Sequence, residues 1–261
     1  MPGSVTSAVE RAIAVLECFS RKEPALTITE ISQRLGLRKS TVHRLLTLLA
    51  RQDMIARDVA SLRYRLGPKV LYLGNVCAKQ YRLRDFAMPI MRQVWEKCGE
   101  TVTLTIRVGD HRMYLEQIES LQEMRVSVEI GKLLPISCGA SGKILLAFMD
   151  SDEAEQVLAR LPLTPLTPGT ITDLAQLRED LRRTRAQGYA ISCGERVHGV
   201  NALSTPLLSS QGRVTAALGI SGPASRFVLE RVLERAPLLV ETAREVSDTF
   251  GWAMASPDAS V

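Results

Sequence analysis

Apolar residues in the first 66 positions recur at helical spacing in three short runs. Val9, Ile13, Leu16 and Phe19 make the first, and Ser7 with Glu10 offers it a capping box. The second is predicted to start at an N-cap on Thr29, bury Ile31 and Leu35, and stop at Gly36, which tolerates left-handed backbone. The third follows a very short turn, with Val42, Leu45, Leu46 and Leu49 as its inward stripe. The period then changes to two. Met54–Arg57 and Leu62–Leu66 read as short strands around residues 58–61, a hairpin directly after a helix.

Pro68 can open the next helix, whose apolar side is Val70, Leu71, Leu73 and Val76, with Lys69, Lys79 and Arg82 outward. It is either a linker carrying a dimer contact or a core helix. Arg84 to Cys98 is a further amphipathic helix with Phe86, Ile90, Val94 and Trp95 inward, ended by Gly99. Strands are then expected at Thr101–Val108, Met113–Ile118 and Arg125–Ile130. A helix at Ser141–Met149 and a Pro- and Thr-rich surface stretch at 161–169 come next. The helix Asp173–Gln187, closed by Gly188, precedes strands at Tyr189–Ser192, Ala202–Leu208 and Arg213–Ser221. Ser225 is the expected cap of a final helix to about Trp252. The fold class is α+β: a winged helix-turn-helix over residues 1–66, a linker helix over 67–82 and an α/β domain over 83–261.

Charge is divided along the same boundary. Residues 1–82 carry 14 Lys and Arg against 6 Asp and Glu, a net of +8, whereas the rest carries 19 against 22, a net of −3. A basic module suits a polyanion. On the third helix the outward face is Ser40, His43, Arg44, Thr47 and Arg51, polar and free of carboxylates. Such a face can enter a major groove, where donors meet base edges and phosphates. Lys39, Ser40 and Thr41 place free amides and the positive helix end at phosphate. Arg63 and Arg65 alternate on the wing and are expected to contact phosphate, which positions without reading sequence. A solvated helix face is the plainer alternative, but three helices and a wing in about 60 residues are a specific combination.

These pieces resemble the IclR family of bacterial transcriptional regulators. The resemblance is carried by Ser7-Ala8-Val9-Glu10-Arg11, by Leu35 to Leu46, by Tyr64-Arg65-Leu66-Gly67 and by Gly131 to Pro135. Residues 140–147 and Ile220-Ser221-Gly222-Pro223 extend it along nearly the whole chain. It implies a GAF-like antiparallel effector-binding domain and an effector pocket carried over to Val126, Ala140, Ser141, Ser192, Ala202, Gly219 and Ser221. Members sensing small oxo-acids tend to have an acidic residue or cysteine where Ser192 and Ala202 stand. The smaller residues here imply a roomier pocket and a larger organic or aromatic acid.

The remaining chemistry adds little. Gly139 to Lys143 fails as a phosphate loop, because the positions that need Gly and Ser/Thr hold Ser137 and Ile144. It is a tight turn or a cradle for a carboxylate at a helix start. Glu195, Arg196 and His198 read as surface or intersubunit residues before they read as a lid or a polar anchor over the pocket. The rival function is an enzyme using Cys138 or Cys193 with His198, or Ser141 with Lys143, although no catalytic signature surrounds them. A non-specific nucleic-acid binder would want stacking aromatics, and Phe19 is the only aromatic in residues 1–63. Five scattered cysteines and three histidines point to a reducing interior without metal. No apolar run approaches the roughly 20 residues of a membrane span, and the N-terminus does not read as a signal peptide. The expected protein is a cytoplasmic repressor of a catabolic operon, without cofactor or catalytic residues. Its partners are a palindromic double-stranded operator, a small-molecule effector and its own copies in a homodimer or tetramer.

Overall fold

The computed structural model describes residues 7–20, 22–80 and 82–255, with the backbone alone at 77–80, 82, 246 and 248–255. The outward placement read for Lys79 and Arg82 lies outside the described side chains, as does Cys77. The chain divides into two units after Arg82.

In the first unit, Ser7 and Glu10 cap α1 (Ala8–Glu17) reciprocally, as the spacing predicts. Its inward face is rotated from the expected one. Ala12, Val15 and Cys18 reach the core, with Leu16 and Phe19 at its margin, while Val9 and Ile13 are exposed. Two apolar stripes coexist on this helix, and periodicity does not choose between them. Thr27 caps α2 (Ile28–Leu35), not Thr29. Only Thr27 has a glutamate three residues on, and Glu30 Oε2 accepts from Thr27 N at 2.6 Å. Gly36 ends α2 with φ of 64°, the left-handed conformation that permits the sharp entry to α3 (Lys39–Arg51). Val42, Leu45 and Leu46 are buried with Ile31 and Val15 in one core. The wing is β1 (Ile55–Arg57) paired antiparallel with β2 (Tyr64–Leu66), tied to the domain by a bridge from Tyr64 to Leu26. Next, α4 (Pro68–Gln80) begins at Pro68 and leaves Leu71, Tyr72, Leu73 and Val76 exposed.

The second unit begins with α5 (Arg82–Cys98), buried through Leu83, Ala87, Met91 and Val94. Phe86, Ile90 and Trp95 flank that face. The strands β3 (Thr101–Val108), β4 (His111–Ile118) and β5 (Leu133–Pro135) follow. Arg125–Ile130 is not a strand. Its polar backbone is satisfied by side chains: Thr101 Oγ1 donates to Val126 O at 2.6 Å, and Gln117 bonds Val128 N and O at 2.9 Å each. Three helices come next, α6 (Ala140–Ala147), α7 (Ser151–Arg160) and α8 (Leu174–Gln187). The sequence pattern does not predict α7; its signals are the Asp150 cap and the buried pair Val157 and Leu158. Then β6 (Ala190–Cys193), β7 (Val200–Leu208), β8 (Val214–Pro223) and α9 (Leu229–Ala255) complete the unit. Ser225 does not cap α9. It lies in a turn with Arg226, which pairs with Glu100 at 2.6 Å, and with buried Phe227, so the helix starts four residues later.

The six strands form one antiparallel sheet in the order β5-β4-β3-β8-β7-β6. Alternation sends Val102, Leu104, Ile106, Leu218 and Ile220 against α5 and α9. The other face is built of small residues: Thr103 opposite Gly219 opposite Ser204, and Ser221 opposite Ala202 opposite Ser192. Helix α6 covers part of that face. Short side chains beneath a helix start leave space.

Candidate functional sites

Burial on α3 separates its two faces cleanly. Lys39, Ser40, His43, Arg44, Thr47 and Arg51 are exposed and Thr41 is half-buried, while the apolar stripe packs inward. Arg38, the residue before the helix, makes no side-chain cap, and the first turn holds no acid. The Thr41 amide is not free, since it donates to Arg38 O at 2.9 Å, but the positive helix end and an unopposed basic face coincide there, which favours phosphate. Thr47 Oγ1 donates back to His43 O at 2.9 Å. The wing arginines differ. Arg65 is exposed, as is Arg57. Arg63 turns inward: its Nη1 donates to Ala25 O at 2.8 Å and stands 3.4 Å from Glu30 Oε2. Period two describes a flat strand, and this residue precedes β2 at the tip side, where the chain leaves the pleat.

The second site is a small cavity between the small-residue sheet face, the 139–141 loop and the 194–199 loop. Of the seven residues carried over from the family, Ala140, Ser141, Ser192, Ala202 and Ser221 line it together. Gly219 and Val126 are not among the lining residues. Gly219 sits between Ser204 and Thr103, where a Cβ would come within 2.6 Å of Ser204 Oγ. Val126 packs with Tyr114 and Val128.

Sequence reasoning missed Arg112. Arg112 on β4 is 1% exposed, donates from Nη1 to Ser141 Oγ at 3.1 Å, and lies 5.2 Å from the centre of the Tyr114 ring. Its Nε has no acceptor. Arg196 also lines the space. Burial raises the Tyr114 phenol, yet the charges of Arg112 and Arg196 outweigh it and hold the group below the ordinary tyrosine value. The signal was available: an arginine and a tyrosine two apart in a strand share the face that meets α6.

Beside the cavity, Lys143 is 2% exposed and compensated twice. Its Nζ lies 2.6 Å from Glu195 Oε1 and 2.8 Å from Asp180 Oδ2, the latter an ionic approach outside hydrogen-bond alignment. It also donates to Ile191 O at 2.6 Å. Glu195 accepts from Gly139 N at 3.1 Å as well. The surface reading of Glu195 is therefore corrected: it is a buried clamp between α6 and the loop. Burial lowers Lys143, but Glu195 and Asp180 together hold it above the ordinary lysine value. A lysine so charged has no lone pair with which to activate Ser141. Burial, then Glu195, raises both the Cys138 and the Cys193 thiols, and His198 is exposed. Neither pair is tuned for nucleophilic attack.

Family models match both units: the IclR helix-turn-helix domain over residues 8–59 and the bacterial transcriptional regulator IclR C-terminal over 76–248. The chain belongs to the IclR family of bacterial transcriptional regulators. IclR relatives include the HTH-type transcriptional repressor AllR of Klebsiella pneumoniae, 32% identical over 244 residues, or 94% of this chain and 90% of that protein. An IclR transcriptional regulator from Alicyclobacillus acidocaldarius is 33% identical, with 93% and 98% of the two chains covered and a TM-score of 0.79. An IclR homologue from Microbacterium hydrocarbonoxydans, solved in complex with 4-hydroxybenzoate, is 28% identical over 95% of this chain and all of that one, at a TM-score of 0.79. Among the described residues no helix is long and apolar enough to cross a membrane.

Proposed function

We propose that this IclR-family chain is a cytoplasmic repressor, not an enzyme, whose α3 reads a palindromic operator and whose cavity senses a small organic acid. Residues 1–66 form the DNA-reading domain, 67–82 the linker and 83–261 the effector domain. The carrying observation is the outward α3 face, where Lys39, Ser40, His43, Arg44 and Thr47 are exposed, Thr41 is half-buried, and none of them meets a carboxylate among the described residues. Arg44 reads a base edge, and Arg65 and Arg57 hold phosphate. Arg63 serves the domain's own packing. The protein acts as a homodimer at least: the exposed apolar side chains of α4 need a cover, and one winged helix makes few base contacts. An effector biases the spacing of the two α3 helices by binding one arrangement better than the other.

The effector class follows from two supports. Ser192 and Ala202 are cross-strand neighbours whose side chains are small at that end of the cavity. A relative of similar fold was solved with 4-hydroxybenzoate. The test is selection of duplexes from a random pool, then salt titration. A two-fold consensus is expected, and Arg65→Ala lowers the slope of log affinity against log salt by about one where Arg63→Ala does not. Selection without a consensus overturns the proposal.

A further inference from the structure

Two cations lie buried on either side of the 139–143 loop, and the chain treats them differently. Lys143 has two carboxylates and a carbonyl. Arg112, equally buried, has the Ser141 hydroxyl and the Tyr114 side chain, and no ion pair among the described residues. An unmatched buried charge is costly, by several kcal/mol in general, and is kept where something else completes it. The space around it is shaped to that end. Gly139 presents its α-carbon where a Cβ would stand 3.2 Å from Arg112 Nη2, so the guanidinium lies directly under the start of α6. Both the helix end and the guanidinium are positive there. A second orphan faces the same cavity: Ser221 Oγ is buried without a partner.

We infer that Arg112 is the anion anchor of this cavity, and that the compound sensed there places a carboxylate on Arg112 and Ser221 with its apolar body toward Ser192 and Ala202. The inference rests on the reading of the cavity as the effector site and adds the anchor, the required charge and the orientation. A carboxylate accepts from Arg112 Nε–H and from the Ser221 hydroxyl together, satisfying both orphans. A neutral amide of the same shape accepts through one oxygen only and leaves the guanidinium charge uncompensated. Arg196 adds a second positive charge at the wall. Val197 and Val200 supply the apolar lining for the body.

Calorimetry on the full-length protein decides it, with benzoate, 4-hydroxybenzoate, phenylacetate, pyruvate and acetate against benzamide and 4-hydroxybenzamide. At least one carboxylate is expected to bind, with its amide weaker by about 30-fold or more. Arg112→Gln is expected to erase that preference, bringing acid and amide within threefold, and Arg112→Lys to keep part of it. Should Arg112→Gln fail to fold, Ser221→Ala reads the same anchor: it should weaken the acid about five- to tenfold and the amide little. Ala202→Leu should exclude the aromatic acids while sparing acetate and pyruvate. Equal binding of acid and amide by the unaltered protein, or an acid preference left undiminished by Arg112→Gln or by Ser221→Ala, overturns the anchor and leaves the cavity's role standing. Binding of no acid in the set overturns both.

Discussion

Replacing Lys143 by methionine is expected to destabilise the second unit by about 3–5 kcal/mol, because it strands Glu195 and Asp180 near a buried site without their cation. For a unit of this size that corresponds to a fall in melting temperature of roughly 6–20 °C. The side chains match in length, so packing is nearly conserved and the loss reports charge. Pairing it with Glu195→Met should restore much of the stability, since removing both members of a buried pair is far milder than removing one. The pH dependence has a definite sign. Lys143 is raised in the folded state, so its contribution is complete below the ordinary lysine value and disappears only as pH climbs through the folded one. The cost of Lys143→Met should therefore be flat between pH 6 and 9 and shrink in strong alkali. A melting temperature unchanged within a degree, with no recovery in the double variant, would contradict the clamp.

Gly142→Ala is expected to be the second large effect, although the position is helical and alanine is the better helix former by about 1 kcal/mol. A Cβ at Gly142 would stand 2.2 Å from Ile136 O and 3.2 Å from Arg112 Cδ. The first neighbour is backbone and cannot swing away. Overpacking of this kind costs about 1–3 kcal/mol and occasionally more, so the steric term exceeds the propensity gain. The start of α6 must lift, carrying Ser141 away from Arg112. Thermal melting should show a net loss together with weaker benzoate binding. A variant as stable as the parent would show that the loop yields without cost.

Much of the DNA-reading unit is legible because its signals are local. The stripe of Val42, Leu45 and Leu46, the Ser7 box and the Gly36 stop each depend on neighbours within a turn. The errors fall where two local signals compete or where a distant partner decides. Thr27 and Thr29 both offer a hydroxyl, and only Glu30 breaks the tie. Arg63 alternates like a wing arginine but finds Ala25 across 38 positions. Residues 125–130 have the composition of a strand, yet side chains from Thr101 and Gln117 claim their backbone. The cavity shows the same division. Small residues carried over from the family meet there, whereas Arg112 and Glu195 acquire meaning only once β4, α6 and the 194–199 loop are brought together.

The central claim is that one face of α3 reads sequence, and a single ratio tests it. Affinity for the selected operator and for a random duplex is measured at one salt concentration, for the parent and for Arg44→Ala. The account predicts that Arg44→Ala lowers operator affinity by about 1–3 kcal/mol, roughly fivefold to more than a hundredfold, while random-duplex affinity falls far less. An operator-to-random ratio that Arg44→Ala leaves unchanged would contradict it.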